Sequence, residues 1–499
     1  MRSFDLSDFL LQHFDKNSAV PSNRQLYRLL RQAILEGVLP ADTRLPSSRD
    51  LADDLQVSRN TVLYAYEQLR AEAYLEGRSG SGTFVSNVLP DTVLLETHHL
   101  SNKALPKLVA KEGALALSQR GQQLIKHAGA ASQQWGAFVP GVPDVSAFPH
   151  RIWRDLQAKV WRNPSPESMT YASGAGYQAL RVQIADYLRL ARSVDCESNQ
   201  IVITIGSHQS IDLCLRLLSD NGDLAWLENP CYWGARNIVQ AAGLQIRPIA
   251  LDAEGICPNA DDLKAVPRFI LVTPSHQYPL GMVMSLARRE MLLAYAHEHN
   301  SWIIEDDYDS EFRYHGKPLI SLQGMDRGKR VIYMGTFSKT LFPGLRLGYL
   351  VLPKELVNAF VTGMEELHRS GQVSVQATLA EFMAQGFFTS HIRTMRSRYA
   401  ARLDILQEEI ANRFDPQQVQ AMGSDAGLHL VLGLPNTCDD RAVMLNAAEA
   451  GIAVRALSRY YAAPENSQRG LVLGYGGVQE HEIAPAFDRL AQVIERHLK

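Results

Sequence analysis

Few architectures accommodate the pattern that fills the chain from about Trp135 to Lys499, where short apolar runs alternate with amphipathic helical stretches. Runs such as Ile201–Ile205 and Trp302–Ile304 show no polar alternation. They read as strands covered on both faces, which calls for helices on either side of a largely parallel sheet. Ligands of such sheets sit beyond the carboxyl ends of the strands, so the loops leaving these runs are where chemistry is expected.

Three such loops carry it. After Ile201–Ile205 the chain turns through Gly206, Ser207, His208 and Gln209 into a helix, and free amides beside a hydroxyl form an anion site that suits a phosphate. In SWIIEDDYDSEFRY, Asp306 stands at a strand exit, where a carboxylate is costly unless paired. A protonated heterocyclic nitrogen is one such partner, and Tyr308 can reach a neighbouring oxygen. In VIYMGTFSKTLFPGLRLGYLV a strand leads through Thr336 and Ser338 to Lys339, with Arg346 beyond. A partly buried lysine has a lowered pKa and forms Schiff bases, and an arginine grips phosphate. Each group alone has a plainer reading, as a solvated side chain or a helix cap. Together they describe a pyridoxal-phosphate site: cup, ring-nitrogen partner and aldehyde-binding amine. His297, His299 and His315 lack ligand geometry in their flanks, so no metal is expected.

Residues 21–86 follow another pattern. Leu26, Leu29, Leu30, Ala33 and Ile34 recur at helical spacing, Ser47 is placed to cap SSRDLADDL, and Ser58 to cap RNTVLYAYEQLRAEAY. EGRSGSGTFVS then reads as a hairpin wing. Two helices joined by so short a turn lay the second in a DNA major groove, with Arg59 suited to a guanine and Ser58 and Thr61 to phosphates. Acidic residues balance the arginines of this stretch, so a helical bundle used for dimerisation competes with DNA binding at this point. Residues 1–20 form an N-terminal extension, 87–131 a linker with helical fragments, and 132–499 the body. The formal net charge of −3 means that any DNA-binding surface is local. The N-terminus lacks a basic start and no apolar run approaches the roughly 20 residues of a spanning helix. Five cysteines without CxxC spacing suggest a reducing cytoplasm.

The run RLPSSRDLADDLQVSRNTVLYAYEQLRAEAYLEGRSGSGTFVS resembles the GntR-family winged helix-turn-helix. That resemblance implies DNA contacts by Arg49, Ser58, Arg59 and Thr61, with Arg78 to Gly80 as the wing tip. The S-K-x6-R element from Ser338 to Arg346 resembles the fold-type-I aminotransferases, an α/β fold with a smaller C-terminal α+β subdomain. It implies Lys339 as the internal aldimine with pyridoxal 5′-phosphate, Asp306 on the ring nitrogen and Tyr308 on the ring hydroxyl. Ser207, His208, Ser338 and Arg346 surround the phosphate, Tyr232 stacks on the ring, and Tyr171 reaches the cofactor phosphate of the partner subunit. Two departures stand out. Tyr278 occupies the place of an Asn that tunes the ring oxygen in aminotransferases, which counts against efficient transamination. Val472 replaces a carboxylate-binding Arg near the C-terminus. Arg459 and Arg455 are the substitutes for gripping an effector acid group, Arg459 preferred.

Head, tether and body in this order resemble the MocR (GabR-like) transcription regulators. The resemblance implies a cytoplasmic head-to-tail homodimer, domain-swapped, bound to operator DNA at direct or inverted repeats. Its body senses the cofactor and an amino-compound effector by aldimine exchange at Lys339, mostly without turnover. The rivals are a working aminotransferase with a fused head and a plain repressor whose body binds no cofactor.

Overall fold

The computed structural model describes residues 6–15, 20–78, 81–87, 117–126, 135–164, 166–314, 319–369, 371–423, 426–463 and 467–498. The chain divides into two compact units, residues 1–116 and 117–499.

The first unit holds helices α1 (Leu6–His13), α2 (Ser22–Leu35), α3 (Ser48–Leu55) and α4 (Arg59–Ala71), then strands β1 (Leu75–Arg78) and β2 (Gly82–Val85), paired antiparallel. Local chemistry sets the helix boundaries. The Ser47 hydroxyl accepts the Asp50 amide and the Ser58 hydroxyl accepts the Thr61 amide, each at 3.2 Å. Such caps contribute about 1 kcal/mol each. Helix α3 ends at Gln56 in the left-handed conformation (φ 49°), so α4 starts almost at once. Leu26 and Leu30 from α2, Leu51 and Leu55 from α3, and Val62 and Leu69 from α4 fill the core, with Val85 of the hairpin. Helix α1 was not anticipated; it buries Leu6 and Leu10 in the same core.

In the second unit, eight strands form one sheet: β3 (Ile201–Thr204), β4 (Leu224–Asn229), β5 (Gln245–Asp252), β6 (Gly255–Ile256), β7 (Phe269–Val272), β8 (Trp302–Asp307), β9 (Val331–Thr336) and β10 (Gly348–Val351). Their order is β3-β10-β9-β8-β7-β4-β5-β6. Strands β9, β8, β7, β4 and β5 run parallel, and the interiors of β3, β7, β8 and β9 are wholly buried, as continuous apolar runs require. Strand β10 is antiparallel to both β3 and β9. Its beginning therefore lies at the edge where β3 and β9 end.

A second, antiparallel sheet closes the C-terminal part, ordered β11-β12-β14-β13, with β11 (Gln420–Met422), β12 (His429–Leu434), β13 (Arg455–Ala456) and β14 (Arg469–Gly474). The segment around Phe138 is laced to it. The Gly474 amide donates to the Phe138 carbonyl and the Ala453 amide to the Ala137 carbonyl, each at 3.0 Å. A few residues on, the Asp144 carboxylate accepts a 2.6 Å bond from Arg402, both side chains being buried. Within the expected linker, Gln119–Lys126 is helical and packs on the helix Trp233–Ala241 of the same unit. No helix among the described residues is long and apolar enough to cross a membrane.

Candidate cofactor site and nucleic-acid interface

The loops that follow β3, β4, β7, β8 and β9, together with the start of β10, converge on a cavity of about 320 Å³. This is the carboxyl edge of the parallel strands. The reversal of β10 explains why Arg346, which precedes a strand, meets residues that follow strands.

Strand phase decides what faces the cavity. In the acidic run that ends β8, alternate side chains point to opposite faces. Glu305 accepts the amides of Leu322 and Gln323, both at 2.8 Å. Asp307 accepts from Arg192 at 2.8 Å, Ser310 at 2.9 Å and Tyr333 at 2.5 Å. Asp306, between them, lines the cavity, and its Oδ1 is buried with no hydrogen-bond partner. Burial, reinforced by the charges of Asp307 and Asp309, pushes its carboxyl up to about 7. A buried oxygen without a donor is unfavourable by about 1–3 kcal/mol, more when charged. A protonated ring nitrogen removes that penalty.

Across the cavity, Lys339 follows β9 and donates from Nζ to the Gly141 carbonyl at 2.8 Å. Burial holds its amine below the usual lysine range, against the pull of Asp309 and Asp306. A lysine with more neutral amine is a better nucleophile. Gly141 has φ +74°, and a Cβ there would lie 2.9 Å from Nζ, so glycine alone allows this approach. Gly206 (φ +117°) turns β3 into the helix Ser207–Leu218, whose first turn has no side-chain cap. Its amides, with Ser207, His208, Thr336, Ser338 and Arg346 along the lining, form an anion cup. His208 Nε2 and the Tyr232 hydroxyl are 2.8 Å apart, and burial and Arg346 keep the imidazole neutral by lowering its pKa. The orphaned carboxylate, the desolvated amine and the cup are a donor set that fits a phosphorylated pyridine aldehyde.

The far wall is aromatic. Tyr278 and Tyr460 hydroxyls lie 3.1 Å apart, and Tyr232 and Trp233 stand beside them. Arg455 joins this wall, whereas Arg459 is absent from the lining. Tyr171 lies outside the cavity of its own chain, 76% exposed, under the Arg369 guanidinium at 4.9 Å. In the first unit, Arg49, Ser58 and Arg59 are exposed and Thr61 is half-buried, grouped where α3 meets α4; Arg59 Nε donates to Ser48 at 3.3 Å. Arg78 is tied to Asp42 and Glu76 and covers the Phe84 ring at 4.6 Å. Gly80 and His315 lie outside the described residues.

The pattern of the class I and II aminotransferases matches residues 149–472, and that of the bacterial gntR regulatory proteins matches residues 22–85. The probable rhizopine catabolism regulatory protein MocR of Rhizobium meliloti is 38% identical over 93% of this chain and 92% of its own. The pyridoxine biosynthesis transcriptional regulator PdxR of Corynebacterium glutamicum is 33% identical over 91% and 92%. The chain belongs to the MocR-type regulators. Its head is thus a GntR DNA-binding domain and its body a pyridoxal-phosphate-binding aminotransferase fold. Among solved structures, the kynurenine aminotransferase of Pyrococcus horikoshii overlays with a TM-score of 0.68 at 25% identity, covering 81% of this chain and 100% of that one. The multiple substrate aminotransferase of Thermococcus profundus gives the same TM-score at 24% identity, covering 77% and 98%.

Several groups of this MocR-type site were not singled out from sequence: Gly141, Thr273, Asp309, His429 and Tyr460 line the cavity, and His276 lies behind it. His276, Asp309 and His429 bring ligand-type atoms within 4.8 Å of one another, a grouping that could hold a metal ion. Hydrogen bonds engage all three. His276 Nδ1 lies 3.1 and 3.2 Å from the Asp309 oxygens, and His429 Nε2 is 3.0 Å from the Pro279 carbonyl. Burial lowers His429 to about 3, so it is neutral. The available signal was SHQYP and YDSEF, polar residues packed beside Tyr278 and Tyr308 at strand exits.

Proposed function

We propose that this chain is an operator-binding regulator whose body senses pyridoxal phosphate and an amino compound at Lys339. The observation that carries the reading is a desolvated lysine facing an orphaned carboxylate across an anion cup, in a chain that also bears a GntR-type head. When bound, the cofactor supplies an aldehyde that condenses with primary amines. Lys339 offers one such amine and an effector offers a competing one; Asp306 holds the ring nitrogen, the Ser207 to Arg346 cup the phosphate, and Tyr232 the ring face.

Arg455 is the better candidate for an acid group on the effector. It pairs directly across the ladder with Val472, the position at which the aminotransferase resemblance leads one to expect an arginine. Opposite residues of an antiparallel pair share a face, so the guanidinium has moved one strand over without leaving the wall. Burial lowers its pKa, and it remains a cation at any ordinary pH. The exposure of Tyr171 supports its entering the site of a second copy in a head-to-tail homodimer. In the head, Arg49, Ser58, Arg59 and Thr61 contact direct or inverted repeats, with the wing from Arg78 to Gly80 alongside. The protein acts in the cytoplasm, with little or no turnover because Tyr278 replaces the ring-tuning amide.

The test has two steps. A random duplex pool selects the sequence that the full-length protein retains. Amines with and without a carboxylate are then titrated while DNA affinity and the cofactor's visible band are followed. A shift in both, lost in Lys339→Ala, is expected; unchanged DNA affinity with every amine that alters the band would overturn the sensing role. The complete cavity also suits a working aminotransferase. Sustained amino transfer to a keto acid, abolished in Lys339→Ala, would favour that reading.

A further inference from the structure

The proton positions around His276 are fixed by its neighbours. Nδ1 faces both oxygens of the Asp309 carboxylate, at 3.1 and 3.2 Å, and the Tyr308 hydroxyl at 3.0 Å. Nε2 is buried and has no hydrogen-bond partner. If the proton sat on Nε2, a buried donor would be orphaned and the bare Nδ1 lone pair would face a carboxylate. With the proton on Nδ1, the carboxylate receives it and only a lone pair is left without a partner, the cheaper deficit. His276 is therefore the Nδ1–H tautomer. A nitrogen already carrying hydrogen cannot accept the Tyr308 proton, which must point elsewhere, and the other face of Tyr308 is the cavity.

The pair is held rigidly. Gly427 (φ +83°) packs so close that a Cβ would lie 2.2 Å from His276 Cε1 and 2.6 Å from Asp309 Oδ2. The Gly427 amide donates to the Phe312 carbonyl at 2.8 Å, and the Tyr475 hydroxyl donates to the Gly427 carbonyl at 2.8 Å. Burial, then Asp309, Tyr278, Asp306 and Glu228, raise the Tyr308 phenol above its ordinary range, and His276 is the titratable group in direct contact with its hydroxyl.

We infer that His276 and Asp309 are positioning residues that aim the Tyr308 hydroxyl proton into the cavity, so that this phenol donates to the ring oxygen of bound pyridoxal phosphate. The inference rests on the cofactor reading of the site. It also leaves the site a donor with Tyr278 in the place of an amide: the Tyr278 hydroxyl is engaged with Tyr460, and the neighbouring Tyr308 phenol, of fixed orientation, supplies the donor.

Asp309→Asn separates orientation from charge by sign. An Asn side chain offers an N–H to His276 Nδ1, permits the other tautomer there, and lets Tyr308 turn its proton inward. The ring oxygen then loses a donor, which raises the pH at which the cofactor's visible band converts. Removing only the negative charge of Asp309 does the reverse, since a nearby anion favours the protonated chromophore. The full-length protein is loaded with pyridoxal phosphate and its visible spectrum titrated with pH. We expect an upward shift of about one unit in Asp309→Asn, the scale of one hydrogen bond. The shift should have the sign of that in Tyr308→Phe and add nothing to it in the double variant. An unchanged midpoint, a downward shift, or additivity with Tyr308→Phe would overturn the inference. If Asp309→Asn does not fold, nitrogen-15 NMR of histidine-labelled wild-type protein decides: an Nδ1–H signal for His276 supports it and an Nε2–H signal overturns it. A wild-type protein that develops no visible band with pyridoxal phosphate would instead bring down the cofactor reading, and this inference with it.

Discussion

Replacing Asp306 by Asn should make the cofactor-free body more stable at neutral pH and a poorer host for its cofactor. The Asp306 carboxyl rises from an ordinary 3.8 to about 7 on burial. A raised carboxyl keeps its proton in the folded chain where the unfolded chain has lost it. The associated stability is whole below about pH 4 and is lost as the pH climbs to about 7. At about 1.36 kcal/mol per unit the whole window is worth about 4 kcal/mol, of which about 2–3 kcal/mol falls between pH 5 and pH 7. An amide has no such proton, so the stability of Asp306→Asn relative to wild type should improve by about 2–3 kcal/mol over that interval. Glu228, Glu305 and Glu311, also raised to about 7, act in both proteins and cancel to first order. All six tryptophans of the chain lie at or beyond Trp135, so urea unfolding followed by their fluorescence reports on the body alone. Cofactor affinity, read from the visible band, should fall at least about tenfold, as expected when a charge-assisted bond is replaced. A stability difference that stays constant from pH 5 to pH 7 would refute the claim that an unpaired acid is stored at this strand end.

Three further outcomes follow from the geometry. Gly141→Ala places an ordinary residue at φ +74° and a methyl against Lys339 Nζ; it should lower body stability by about 1–2 kcal/mol and reduce cofactor occupancy, measured by thermal unfolding and absorbance. Arg402→Ala removes the nearer cation from the buried Asp144, leaving Arg398 at 3.9 Å and the Ser146 and Gln479 donors, and should destabilise by about 3 kcal/mol in the same unfolding assay. Arg59→Ala should weaken binding to the selected DNA by about 1–3 kcal/mol and relax the preference at one base pair, read by competition with single-base variants.

The head was legible because its signals are local: two serine caps and a tight turn set α3 and α4 whatever surrounds them. Helix α1 was missed because eight residues cannot hold a helix alone, and Leu6 and Leu10 are stabilised only by the core they enter. In the body, Asp306 could be picked from a run of acids by its place at the strand exit, and Lys339 by its spacing to Arg346. His429 could not, since β12 is buried on both faces and shows no polar alternation around it. Nor could the preference between Arg455 and Arg459 be drawn from order alone. It depends on the register of β13 against β14, which sets Arg455 opposite Val472 and in the lining of the cavity.

The bond from Lys339 to the Gly141 carbonyl ties the strand-end loop to the segment that precedes the body's first long helix. Gly141 belongs to the stretch pinned to the C-terminal sheet through Phe138 and Ala137, and anchored by Asp144 to Arg402. A lysine nitrogen committed elsewhere would give up this bond, whereas the bonds of Ala137, Phe138 and Asp144 do not involve it.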